Sequence, residues 1–237
     1  MKDKEYYINA AKDDYSYIDS DSLKFLYNLQ RCHSDKCSME IKSITYYCFA
    51  TYSWFDRYPY ADDGFDIDYI KQGLYREHID DYNCFNGLFT WHNFAMLCEK
   101  LKEIYSKFNT IEEAIYSEMS KDNSQHYVSY YLQKMMAGET MIQPVCSTYS
   151  CPRMTRLAYF IVNIFGTGLI GKDKLCVTID EKSATILKDE GIINKKELTM
   201  YSVNQATEFA KTIFPDDPSM FNLSIYHLYK EKHGTDK

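Results

Sequence analysis

Met141 to Gly191, MIQPVCSTYSCPRMTRLAYFIVNIFGTGLIGKDKLCVTIDEKSATILKDEG, joins a polar turn, an apolar helix and an acid with helical sequence on its far side. Pro144 to Pro152 is rich in Cys, Ser, Thr, Tyr and Pro and has no period, so it reads as a loop or hairpin. From Arg153, the residues Met154, Leu157, Ala158, Ile161, Val162 and Phe165 recur at helical spacing, and Gly166 and Gly168 stop that helix. Leu175 to Ile179 reads as an extended stub. A second helical pattern follows with Ala184, Ile186 and Leu187, ending at Gly191, which puts Asp180 at a helix N-terminus.

An aspartate there has two compatible readings. Its carboxylate can cap free backbone N–H groups at the positive end of the helix dipole. It can also present one oxygen to a cleft and serve chemistry.

Outward from this stretch, the periodicity predicts helices almost everywhere. Upstream are patterns over 23–29, 41–55 and 65–75, a longer one over 88–108, a capping box at Thr110 to Glu113, and a helix over 127–136. Downstream, one helix runs over 201–214 to Pro215, and Pro218 opens the last. Residues 1–20 are acidic and tyrosine-rich without a sustained period and predict a loosely attached arm. The expected fold is all-α with about ten helices, as one domain over 21–237.

The 237 residues are 45% hydrophobic and 26% charged, the composition of an ordinary globular chain. A net charge of −7 and a pI near 5.4 exclude bulk electrostatic attraction to nucleic acid or membranes, though not a local basic face. Met1 to Glu5 leads into no apolar signal segment, and no run approaches the length of a membrane helix, so a cytoplasmic protein without membrane partners is expected. The eight cysteines lie in mostly apolar contexts and read as free thiols. Cys32–Cys37 and Cys146–Cys151 have the outer limit of zinc-ligand spacing. No metal or cofactor is expected from them.

Aromatic side chains are abundant, with 23 tyrosines and 13 phenylalanines. Tyr52, Trp54, Phe55, Tyr58 and Tyr60 crowd the end of one apolar helix and the loop DRYPYADDG after it. They can pack as core or line a pocket for a flat ring. Arg57, Arg153 and Arg156 are solvated surface arginines or phosphate contacts. His92, beside Trp91, is a hydrogen-bonded histidine or a general base.

Several of these patterns together resemble a bacterial conserved family of unknown function, distantly related to the helix-hairpin-helix (HhH-GPD) DNA glycosylases. The residues that carry the resemblance are Ala50-Thr51-Tyr-Ser-Trp54-Phe-Asp-Arg57, Arg76 in a Tyr-Arg context, Asn109-Thr-Ile-Glu112, Cys151-Pro-Arg153, Ile179-Asp180, and Pro215-Asp-Asp-Pro218 before a helix ending at Gly234. The resemblance implies two helical lobes, about 21–140 and 141–237, with a cleft between them. It also implies a hairpin over Tyr149, Ser150 and on to Met154 that grips a DNA phosphate, with Asp180 acting on a flipped nucleotide. The chain departs from the pattern in two places: the hairpin region has no glycine, and the acid is followed by Glu181-Lys182 rather than Thr-His.

Glycosidic cleavage develops positive charge on the sugar, which a fixed carboxylate stabilises while orienting water. The resemblance sets Arg156 where bifunctional relatives have a Schiff-base lysine. Arginine stays protonated, so a monofunctional N-glycosylase without lyase activity is expected. Its substrate would be DNA with a damaged or modified base, phage DNA included; no obligate protein partner is implied. A nucleoside or RNA N-glycosidase and a non-catalytic all-α module that binds nucleic acid or protein are the alternatives.

Overall fold

A computed structural model describes residues 1–15, 99–121, 127–137, 151–163 and 165–234. Among these residues every regular element is helical and none is a strand. The α-helices are α1 (Lys4–Tyr15), α2 (99–105), α3 (Ile111–Lys121), α4 (Val128–Ala137), α5 (Cys151–Asn163), α6 (Glu181–Asp189), α7 (Met200–Lys211) and α8 (Phe221–His233). Short 3-10 turns lie at Lys172–Lys174 and Pro218–Met220. The all-α expectation holds among the described residues. The helices counted here are fewer than the ten expected of the whole chain, and the patterns over 23–29, 41–55 and 65–75 lie outside the described residues.

Helix α5 buries the stripe that its sequence set out: Met154, Leu157, Ala158 and Ile161 are all inside, joined by Phe160. It packs on α4, and α3 packs on both. The chain then turns back sharply at Gly166, where a Cβ would lie 2.5 Å from the carbonyl oxygen of Val162. Only glycine fits that approach. Glu112, in the first turn of α3 and only 1% exposed, holds the following loop by accepting hydrogen bonds from the Thr167 and Ile170 backbone N–H groups and from the Thr167 hydroxyl.

The stub over 175–179 is extended and buried, yet pairs with no strand. Its backbone is satisfied by side chains instead: Val177 N–H donates to Thr207 Oγ1 on α7 at 3.1 Å, and Thr178 N–H to Asn222 Oδ1 on α8 at 2.9 Å. Val177 and Ile179 sit at the centre of a core shared by α1, α6, α7 and α8. Burying each contributes about 1.5–3 kcal/mol.

Residues 4–15 are not a loose arm. They form α1, which lies along α8 and buries Tyr7, Ala10 and Ala11. The hydroxyl of Ser224 donates to the Tyr7 carbonyl at 2.7 Å, and Lys4 Nζ to the Thr212 carbonyl at 2.6 Å. The period was missed because the stripe is short and made of one tyrosine and two alanines. Tyrosine buries well when its polar tip finds a partner, which tertiary packing supplies through Glu190, 3.4 Å from the Tyr7 hydroxyl.

Candidate functional site at the start of helix α6

Asp180 is the N-cap of α6, as its sequence position predicts. Its backbone is extended, and Oδ1 accepts from Ser183 N–H and from the Ser183 hydroxyl, both at 2.8 Å. Ser183 in turn meets the Asp180 N–H with its Oγ at 2.7 Å, completing a reciprocal capping box. The Asp-x-x-Ser spacing could have announced this box from sequence.

The second oxygen, Oδ2, faces Arg156 Nη2 at 3.3 Å. Arg156 projects from α5 and its side chain is only 15% exposed, whereas that of Asp180 is 48% exposed. The carboxylate is therefore fixed in orientation at one oxygen, matched with a cation at the other, and still open to solvent. Sequence reasoning missed this pair. The two residues are far apart in the chain, and nothing local to either signals the other.

Three supports hold Asp180 in place. The buried segment before it is pinned by Thr207 and Asn222, the capping box fixes its own backbone, and α6 packs on α8. Helix α5 opposite carries Arg153 and Arg156 and no acidic residue. Arg153 is half-buried near the start of that helix.

Tyr52, Trp54, Phe55, Arg57, Tyr58, Tyr60 and His92, and the hairpin residues Tyr149 and Ser150, lie outside the described residues. Cys151, expected within the turn, already belongs to α5.

Cys176 is close to Asp180 in sequence but fully enclosed between α4 and α7. Burial pushes its thiol up to about 12, against the hydrogen bonds from Ser129 and Thr207 that favour the thiolate, so it stays protonated. Among the described residues no helix is long and apolar enough to cross a membrane, and no group of three or more His, Cys, Asp or Glu side chains is placed to hold a metal ion.

Compared with models of protein families, with curated proteins and with solved structures, the chain matches none.

Proposed function

We propose that the protein is a monofunctional DNA N-glycosylase that excises a damaged or modified base, with Asp180 as the catalytic carboxylate. The observation that carries this reading is the half-exposed Asp180 carboxylate, oriented by its capping box at the N-terminus of α6. A carboxylate so fixed needs no reorganisation to stabilise positive charge developing on a sugar. The sequence's resemblance to a bacterial family of unknown function distantly related to helix-hairpin-helix glycosylases suggests the substrate class and the two-lobed arrangement with a cleft; the fixed carboxylate suggests the role of the acid.

In this reading Arg156 is a positioning residue. It holds Oδ2 at 3.3 Å, while Arg153, Tyr149, Ser150 and Arg57 would contact the phosphate backbone. Tyr52, Trp54, Phe55, Tyr58 and Tyr60 would sandwich the flipped base. A lyase step is not expected, because the position of the Schiff-base lysine is taken by Arg156.

A second reading has one observation in its favour. Both Asp180 oxygens already have partners, Ser183 and Arg156, so capping and ion pairing account for the residue without chemistry. The protein would then be a non-catalytic all-α module that binds nucleic acid or another protein.

Mass spectrometry of free bases released from a DNA panel, including genomic DNA of phages with modified bases, separates the two. Asp180→Asn keeps the cap and removes the charge. Under the glycosylase reading it lowers base release about 100-fold or more with little change in melting temperature. Undiminished release by the variant would remove Asp180 from the mechanism, and silence of the wild type across the panel, with no binding to DNA, would favour the second reading.

A further inference from the structure

Away from Asp180, helices α2, α3 and α4 enclose a groove of about 470 Å³. That is the size of a pocket for a small organic ligand. Its rim carries Lys100, Lys107, Lys121 and Lys134 against Glu103 and Glu118, a local excess of positive charge on a chain whose net charge is −7.

The lysines are spaced by the helices themselves. Lys100, Glu103, Ile104, Lys107 and Phe108 fall at i, i+3, i+4, i+7 and i+8, one face of α2 and the turn after it. Glu103 is shared, 3.4 Å from Lys100 and 3.3 Å from Lys107, and Glu118 takes Lys121 at 2.6 Å. Such exposed pairs are weak and open readily to a stronger anion. Lys134, exposed on α4, forms no ion pair among the described residues.

The apolar part of the lining is Phe108 and Met135, both half-buried, with the buried Ile104 and Ala114. Cations together with an aromatic and apolar lining suit a ligand with a phosphate at one end and an aromatic ring at the other. We propose that this groove binds a nucleotide unit, its phosphate among the lysines and its base against Phe108 and Met135. The unit is either a free nucleotide or one residue of a nucleic-acid strand. None of the lining residues belongs to α5 or α6, so the inference stands apart from the chemistry assigned to Asp180.

Titration of the full chain with ATP, with inorganic triphosphate and with a fluorescently labelled single-stranded oligonucleotide tests it, each at low and high salt. The wild type is expected to bind ATP or the oligonucleotide more tightly than triphosphate, with binding that weakens as salt rises. Lys107→Glu/Lys134→Glu should weaken it by about tenfold or more, and Phe108→Leu should narrow the advantage over triphosphate. Because both lysines are exposed, the double variant should melt like the wild type; Lys134→Gln alone, with a smaller loss, covers the case in which it does not. ATP binding that the lysine variants weaken assigns the groove to a free nucleotide, and oligonucleotide binding alone that they weaken assigns it to a strand. The proposal falls if neither binds at about 1 mM, if triphosphate binds as well as both, or if the lysine variants bind as the wild type does. The lysine and Phe108 variants read the groove itself, whereas the Asp180 reading is decided by base release from Asp180→Asn, so that unchanged binding in the groove variants overturns this proposal alone.

Discussion

Asp180 and Glu190 bracket the same short helix, α6, and each is matched with a cation from another helix, yet their surroundings differ. Asp180, at the N-terminus, is 48% exposed and takes Arg156 of α5; Glu190, at the C-terminus, is 8% exposed and takes Lys232 of α8 at 3.4 Å, with the Met1 amino group also 3.4 Å away. A negative charge is favoured by the helix dipole at the first end and disfavoured at the second. Glu190 therefore depends on its neighbours, and it ties α1, α6 and α8 together. Asp180 would be comfortable at its position without Arg156. Its exposure leaves Asp180 reachable from solvent, whereas Glu190 is enclosed by α8 and the chain start.

The largest stability effect should come at the buried end. Glu190→Ala leaves the Tyr7 hydroxyl without its acceptor and Lys232 with only Asp189, 3.6 Å away, and should destabilise the protein by about 1–3 kcal/mol, read as a lower urea midpoint. A loss no larger than that of Asp180→Ala would show that the two ends do not differ as their burial implies.

Asp180→Ala removes the cap and should cost about 1 kcal/mol, within the usual range for N-cap deletion. Asp180→Asn restores a cap and should recover most of that, to within a few tenths of a kcal/mol apart from the weak Arg156 pair. If the Asn variant were as unstable as the Ala variant, the ion pair with Arg156 rather than the cap would be holding the helix start.

The smallest effect is in pH dependence, and it belongs to Glu190. Burial alone would raise its carboxyl, but the hydrogen bond from Lys232 and the charge of the N-terminal amino group outweigh it and hold the carboxyl below its ordinary value. The unfolded chain therefore takes up this proton first as pH falls. The stabilisation is complete above the ordinary glutamate range and is lost as pH falls through the lower folded value. Thermal melts from neutral to acid pH should show a decline that is shallower in Glu190→Gln. Equal slopes in the two proteins would mean that Glu190 is not stabilised by its cations. The same carboxylate acts on Tyr7, whose hydroxyl is pushed up to about 12 by burial and then by the Glu190 charge.

Helices α5 and α6 were legible because their apolar residues recur at helical spacing over several turns, and their ends are marked by glycine and by Asp180. The start of α3 was legible as a capping box, and Thr110 Oγ1 does accept from Glu113 N–H at 3.1 Å. The Glu113 carboxylate reaches the N–H of Asn109 at 2.9 Å, one residue before the expected partner. Helix α1 was not legible, since Tyr7, Ala10 and Ala11 carry too little apolar contrast until α8 covers them.

Among the described residues, sequence alone determined that helices α2 to α8 form and that an acid stands at the start of α6, because spacing and capping are local and each residue's neighbours in the chain decide them. Tertiary structure alone decided that Arg156 faces that acid, that Glu112 holds the loop over 167–170, and that side chains of α7 and α8 satisfy the extended segment before Asp180. Each of these joins residues distant in the chain, and only the packing of helices selects which distant side chains meet.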